Sequence, residues 1–304
     1  MPWLEQLRYD PAFTMAARRI ARVCAGLLVS AMIVLVVSSC SRREEAAPPV
    51  ATPSLSLGRD RAAIGSPLTF TYKFTASQEI SGDYWVFVHV LEPDGERLWG
   101  DDHQPPVPTS AWKPGQTIEY TRTVFVPNYP YIGPAEVRLG LYQPGNGQRL
   151  TLDAKEIARR EYLVAQLQIL PQSENVFLIY KEGWHPAEVS PDDPSIEWQW
   201  TRKSAVTSFP NPKQDATIYV EYDARTDLFT PPQQVTLRIG DQVIGTFAAD
   251  SSDKKLLTLP VTAAQFGSGD VVELVLEVDR TFTPGGGDTR DLGIRVFHLF
   301  VEPR

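Results

Sequence analysis

Short segments in which apolar and polar residues alternate recur from about residue 55 to the C-terminus, with turn-forming residues between them. In residues 68–74 every second residue is apolar: Leu68, Phe70, Tyr72 and Phe74. This alternation places them on one face of an extended strand. Proline accounts for 26 of the 304 residues, which is above the roughly 5% average and favours turns and edge strands over long helices. The sequence therefore predicts an all-β protein.

The first half of the folded region contains about seven such segments, a number typical of an immunoglobulin-like β-sandwich. The predicted strands lie at 68–74, 84–91, 117–126, 135–142 and 162–170, with weaker candidates at 55–58 and 97–100. One short helical turn is predicted in residues 153–160. We therefore predict an immunoglobulin-like β-sandwich over residues 55–170.

Three stretches of this half, residues 85–91, 100–115 and 137–150, resemble immunoglobulin-like domains attached to bacterial extracytoplasmic and membrane proteins. The resemblance covers most of residues 55–170. It implies a fold and does not imply a reaction.

A polar break at residues 171–175 precedes a second β-rich region. Its predicted strands lie at 176–181, 195–201, 205–209, 216–223, 234–239, 242–248, 255–259, 271–278 and 292–302. In the last of these, alternation places Leu292, Ile294, Val296 and His298 on one face. Gly240-Asp241 suits a type II′ hairpin turn, which needs glycine first.

Two patterns in this second region, at residues 243–247 and 288–296, resemble galactose-binding-like jelly-roll domains attached to bacterial glycosyltransferases and surface proteins. The resemblance implies a jelly-roll-like β-sandwich over residues 171–304. The predicted fold is thus all-β, with two consecutive β-sandwich domains.

The N-terminal segment has the organisation of a secretory signal. Basic residues at 15–22 precede an uncharged apolar run at 25–37, and Val37-Ser38-Ser39-Cys40 follows. This order resembles a bacterial lipoprotein signal peptide, which implies that residues 1–39 are removed and Cys40 is lipidated. The alternative is an uncleaved anchor, and translation could begin at Met15.

Either interpretation places the bulk of the chain on the extracytoplasmic face of a cell membrane or outer membrane. Residues 40–54 then form a lipidated cysteine and a polar, proline-rich tether. The chain has two cysteines, Cys24 and Cys40, so residues 55–304 contain none. The folded region can therefore hold no disulfide or metal thiolate, and its stability must come from core burial.

The charge argues against nucleic acid as a partner. The formal net charge is −8, and residues 1–39 contribute +2 (four Arg, one Asp, one Glu), so residues 40–304 carry −8 − 2 = −10. An acidic chain repels phosphate backbones. The predicted partners are a membrane, through the lipid, and a glycan or envelope protein.

Tryptophans mark the candidate ligand site. Trp184, Trp198 and Trp200 lie near His185 and Glu188 in the sequence. Exposed indole rings can stack on sugars while neighbouring polar groups bond hydroxyls, which predicts carbohydrate binding. The alternative is that the rings fill the sandwich core, and the sequence favours it because large aromatic residues in β-sandwiches usually lie there.

Other polar clusters have structural interpretations. Asp101, Asp102 and His103 could ligate a cation, but a solvated turn is the favoured interpretation, and residues 250–253 are expected to form a hairpin tip. Arginine and aspartate residues alternate around a glycine-rich loop: Arg280, Asp288, Arg290 and Asp291. They are expected to clamp the loop, with a polar ligand rim as the alternative. We predict no metal and no cofactor.

The sequence shows no nucleophile elbow, zinc-protease motif or phosphate-binding loop. We therefore expect a non-catalytic lipoprotein that acts as a binding or scaffold module. The alternatives are an accessory glycan-processing enzyme and a purely structural spacer.

Overall fold

The computed structural model describes residues 47–128, 131–192 and 196–304. Residues Pro49–Arg304 form one compact unit. The predicted signal peptide, the alternative start at Met15 and the lipidation site Cys40 lie outside the described residues. Within the described ranges, no helix has the length and apolarity needed to cross a bilayer.

Nine strands build the first sandwich: β1 (Ala51–Leu57), β2 (Arg61–Ala63), β3 (Pro67–Ala76), β4 (Trp85–Leu91), β5 (Arg97–Gly100), β6 (Thr117–Phe125), β7 (Gly133–Tyr142), β8 (Glu156–Ala158) and β9 (Glu161–Leu170). One sheet has the order β1-β3-β6, and the other has the order β2-β9-β7-β4-β5, with β8 paired to β9. Neighbouring strands are antiparallel except β2 and β9, which run parallel.

Alternation in β3 and β7 forms the core of this sandwich. Phe70, Tyr72 and Phe74 are buried on β3, as the sequence predicts, and Leu139 and Leu141 are buried on β7. On β4, Val86, Val88 and Val90 face the core, and Phe87 on the opposite face is also buried, with the Arg149 guanidinium 4.3 Å from its ring centroid.

Ten strands build the second sandwich: β10 (Ile179–Tyr180), β11 (Glu188–Val189), β12 (Glu197–Trp200), β13 (Ser204–Pro210), β14 (Ala216–Asp223), β15 (Gln233–Ile239), β16 (Gln242–Ala249), β17 (Lys255–Val261), β18 (Val271–Val278) and β19 (Arg295–Pro303). Helix α1 (Ala263–Phe266) follows β17. The two five-stranded sheets have the orders β10-β13-β18-β15-β16 and β11-β12-β19-β14-β17.

The predicted all-β fold of two β-sandwiches is therefore confirmed. The hairpin from β15 to β16 turns at Gly240, whose φ of 57° suits the first position of a type II′ turn. The domain boundaries predicted at residues 54 and 170 stay predictions.

Two local predictions differ from the structure. Residues 156–158 form strand β8 rather than a helical turn, because a tight turn with positive φ at Arg159 and Arg160 folds them back onto β9. In β19, the pairing with β14 shifts between Glu221 and Tyr222, so that Glu221 faces His298 and Tyr222 faces Val296. Phe297 is therefore an extra residue in a β-bulge.

The bulge moves His298 off the face predicted for it. Val296 stays in the core at 4% exposure, and Leu299 and Val301 resume the core face beyond the bulge. His298 instead faces outward, where its side chain is 39% exposed. Its Nδ1 lies 2.8 Å from the Glu221 carboxylate.

The two sandwiches contact each other along the outer face of β19. The Phe125 ring of the first sandwich stacks on the His298 ring, with centroids 4.2 Å apart and an interplanar angle of 3°. Arg59 forms an ion pair with Glu302, and the Tyr219 hydroxyl donates to the same carboxylate at 2.8 Å. Glu302 thus joins both sandwiches.

Candidate functional site

A cleft of about 1340 Å³ lies where the two sandwiches meet. We call it the inter-sandwich cleft. Its volume exceeds the several hundred Å³ of a typical small-ligand pocket, so it has room for an extended ligand. Aromatic side chains from both sandwiches line it: Trp99 and Phe125 from the first, and Phe177, Tyr180, Trp184, Trp198 and Phe297 from the second.

The aromatic rings of the second sandwich form a nearly continuous wall. Tyr180 and Trp184 meet edge to face with centroids 4.9 Å apart, and Trp198 meets Phe297 at 6.1 Å. Phe177 is 72% exposed and Tyr180 is 40% exposed. Phe177 and Tyr180 thus offer exposed ring surface to a ligand, whereas the Arg295 guanidinium lies over the Trp198 and Phe297 rings at 4.9 and 5.1 Å.

Strand geometry explains this arrangement. Trp198 lies on β12 directly across from the bulge residue Phe297, because Gln199 pairs with Val296 in the neighbouring register position. Trp184 is fixed by a hydrogen bond from its Nε1 to the Val206 carbonyl at 3.0 Å. The preceding residue, Gly183, has a positive φ that turns the chain toward the wall.

Two indole groups on opposite sides of the cleft lack acceptors. The Nε1 atoms of Trp99 and Trp198 are buried and have no hydrogen-bond partner among the described residues. An unmet buried N–H donor costs about 1–3 kcal/mol.

Neutral polar groups complete the lining: Asn128, Gln172, Ser173, Asn175 and Gln199. Amides and hydroxyls both donate and accept hydrogen bonds. Partial burial, with a smaller effect from the charge of Glu197, raises the pKa of Tyr180. The Tyr180 hydroxyl therefore remains a donor at neutral pH.

The structure brings together two of the sequence-predicted site residues. Trp184 and Trp198 line the cleft. Trp200 is buried at 9% exposure and packs edge to face on Phe282. Trp200 is therefore buried in the sandwich, as the alternative interpretation expected for all three tryptophans. Trp184 and Trp198 are half-buried.

The side chains of the other two predicted site residues, His185 and Glu188, form hydrogen bonds with residues that do not line the cleft. His185 is buried, and its Nε2 donates to the Asp291 backbone carbonyl at 2.9 Å. Glu188 accepts from Arg290 at 2.5 Å. Arg290 also binds Asp288, with Nη2 at 2.7 Å, and these hydrogen bonds lower the pKa of Asp288 to about 2. Arg290 thus links the glycine-rich loop to β11, which is the expected clamp.

In the first sandwich, hydrogen bonds hold the turn that contains Asp101 and His103. Asp101 accepts a bidentate pair from Arg122 at 2.8 and 2.7 Å. The Nδ1 of His103 donates to the Asp101 backbone carbonyl at 2.8 Å, which leaves Nε2 to accept from the Tyr120 hydroxyl at 2.7 Å. Burial lowers the pKa of His103, in keeping with a neutral ring. Within the described ranges, no group of three or more His, Cys, Asp or Glu side chains is placed to hold a metal ion.

Several cleft residues could not be identified from the sequence patterns, among them Trp99, Phe125, Phe297 and Lys254. Alternation predicts that Phe125 and Phe297 lie in strands, but it does not show which other residues they contact. Their shared location depends on how two separate sandwiches pack together, and no local pattern encodes that packing. The aromatic pair Phe177 and Tyr180, at the start of the second region, was an available signal.

No protein-family model and no curated protein matches the chain. Among solved structures, Bacteroides uniformis β-glucuronidase matches 83% of this chain and 30% of its own, at 9% identity and a TM-score of 0.29. A Clostridium perfringens ZmpB structure containing CBM51-2, in complex with GlcNAc, and INT domains matches 83% of this chain and 41% of its own, at 11% identity and a TM-score of 0.26. Red sea bream transglutaminase matches 75% of this chain and 29% of its own, at 13% identity and a TM-score of 0.24.

The chain therefore spans less than half the length of each of these structures. At such TM-scores the superpositions share too little geometry to establish a common fold or activity.

Proposed function

We propose that this chain is a non-catalytic, membrane-anchored binding protein that holds a glycan in the inter-sandwich cleft. The observation that carries the proposal is the placement of aromatic rings from both sandwiches around about 1340 Å³ of space. Sugar rings have apolar C–H faces that pack on aromatic side chains, while their hydroxyls need hydrogen-bond partners. The half-buried indoles and neutral amides of the cleft match both requirements.

The lining favours a glycan over an apolar ligand because its polar groups come from both sandwiches. Asn128 belongs to the first sandwich, Gln199 belongs to the second, and both line the cleft. Gln199 already donates to the His185 carbonyl at 3.3 Å, which orients its amide oxygen. An apolar ligand would leave such groups unmatched.

The sequence supports lipidation at Cys40 and an extracytoplasmic location. Val37-Ser38-Ser39-Cys40 follows the uncharged apolar run at residues 25–37. A bacterial host grown with labelled palmitate should incorporate the label into the wild-type chain and lose it in Cys40→Ser. Equal labelling of both chains, or recovery of the wild type from the cytosol, would contradict this part of the proposal.

A glycan array tests the central part of the proposal. The full chain is kept in solution with a zwitterionic detergent, because sugar-headed detergents would compete for the site. Trp198→Ala should weaken binding of the best glycan about tenfold, since it removes a stacking surface. Trp85→Ala is the matched control, because Trp85 is 38% exposed and is not part of the cleft lining.

The other functional classes predict different results. Release of shorter products from the bound glycan would support the accessory enzyme. Glycan binding that survives Trp198→Ala and fails in Trp85→Ala would place the site elsewhere. A chain that binds no glycan would leave the envelope-protein ligand or the structural spacer as the function.

A further inference from the structure

The charge of the inter-sandwich cleft differs from the charge of the molecule. Residues 40–304 carry a net charge of −8 − 2 = −10. The fully charged residues lining the cleft are Arg97, Lys254 and Glu197, which leaves the lining with one positive charge in excess. A local reversal of sign in a cleft focuses the field on a ligand of opposite charge.

Lys254 is a cation without a carboxylate partner. Its Nζ lies 4.4 Å from the centroid of the Phe297 ring, and no ion pair or hydrogen bond joins it to another described residue. The neighbouring Lys255 is neutralised by Asp250 at 2.7 Å. Lys254 therefore presents an unneutralised ammonium group beside an aromatic ring of the cleft wall.

Arg97 provides a second cation from the opposite sandwich. Its guanidinium lies across Gly100, within 2.1 Å of the position where a Cβ atom would be. The glycine therefore allows the side chain to lie flat at the cleft. The Asp102 carboxylate is 3.9 Å from its Nη2, and the Arg97 side chain is 51% exposed. Such a long, solvated pair leaves the guanidinium able to bond a ligand.

We infer that the cleft selects an acidic oligosaccharide, one that carries carboxylate or phosphate groups. Lys254 binds an anionic group from one wall and Arg97 binds from the other, while the aromatic rings pack on the sugar faces. Charge-assisted hydrogen bonds of this kind are stronger than those between neutral groups. The inference rests on the proposed glycan binding and adds its substrate class.

The test compares oligosaccharides of equal length by calorimetric titration of the full chain. The probes are a galacturonic acid hexamer, a phosphate-bearing mannose hexamer and a neutral cellulose hexamer. At least one acidic hexamer should bind about tenfold more tightly than the neutral one at low salt, and the ratio should fall as salt screens the charges. The two acidic probes separate carboxylate from phosphate recognition.

Lys254→Met removes the charge and keeps an apolar chain over Phe297. It should abolish most of the preference for the acidic hexamer, so that the ratio of acidic to neutral affinity falls toward one. Lys113→Met is the matched control, because the Lys113 side chain is 69% exposed and is not among the cleft-lining residues. That variant should retain the full preference.

The results separate this inference from the proposed function. Equal affinity of the wild type for neutral and acidic hexamers would overturn the acidic preference while glycan binding stands. An acidic preference that survives Lys254→Met would overturn the role of Lys254. Failure of all three hexamers to bind would contradict both the inference and the proposed function.

Discussion

The Asp101 carboxylate shows how a single residue joins the two sheets of the first sandwich. It is 10% exposed and accepts from the Tyr72 hydroxyl on β3 at 3.0 Å as well as from Arg122 on β6. Burial alone would raise the pKa of Asp101. The hydrogen bonds and charge of Arg122 outweigh that effect and hold this pKa below its usual value.

Asp101→Asn should lower the free energy of unfolding at neutral pH by about 2 kcal/mol, because it removes charge-assisted hydrogen bonds. A carboxyl group whose pKa is depressed in the folded state stabilises the fold above its unfolded pKa of about 4. That contribution disappears as the pH falls through the lower folded pKa. The difference between wild type and variant, measured by urea denaturation, should therefore shrink on acidification.

Asp102→Asn provides the neighbouring control. The Asp102 side chain is 34% exposed and lies 3.9 Å from Arg97, so its loss should cost less than about 1 kcal/mol. A pH-independent difference for Asp101→Asn would contradict the assigned role of the carboxylate.

The elements of the second sandwich place their side chains through two local irregularities. One is the bulge of β19, which directs both Phe297 and His298 outward. In a regular strand, one of these two neighbouring side chains would point into the core. The other is the turn at Gly183 that precedes Trp184. Its φ is 83°, and a Cβ atom there would lie 1.8 Å from the Ser204 backbone oxygen.

Gly183→Ala should lower the free energy of unfolding by about 3 kcal/mol, since both backbone strain and a clash with main-chain atoms oppose the new methyl group. Gly240→Ala is the control, because Gly240 also has a positive φ but has open space around its Cβ position. The control should cost about 1 kcal/mol, which is strain alone. Equal costs in urea denaturation would show that the Ser204 contact does not constrain the turn.

These elements also show what a sequence can predict. Strand positions such as Ala216–Asp223 and Val271–Val278 follow from alternation, because each strand buries one face against its own sandwich. The bulge at Phe297 does not follow, since alternation of β19 is compatible with a regular strand until its pairing with β14 is known. His298 therefore does not share the face that alternation predicts for it with Leu292, Ile294 and Val296.

The inter-sandwich cleft forms where the two sandwiches contact each other. Trp184 and Trp198 were predicted as candidates because tryptophans cluster in that part of the sequence. Trp99 comes from a strand about a hundred residues earlier, a separation that local sequence patterns do not bridge. Arg59 and Glu302 form an ion pair across this contact, and Phe125 of the first sandwich stacks on His298 of the second.

Arg59→Ala should loosen the contact without changing any cleft residue, because Arg59 is not part of the lining. We expect faster hydrogen exchange in peptides covering Phe125 and His298, and glycan affinity reduced about threefold to fivefold, as expected for loss of roughly 1 kcal/mol from one ion pair. Arg61→Ala is the control, since Arg61 is exposed on β2. Identical exchange in both variants would contradict the role of the ion pair.

A crystal structure of the chain with a bound acidic hexasaccharide would show directly whether the cleft holds the ligand. We expect sugar rings packed between Trp99 and Trp198, with an anionic group beside Lys254. A hexasaccharide bound outside the cleft, for example on the exposed face around Trp85, would contradict it.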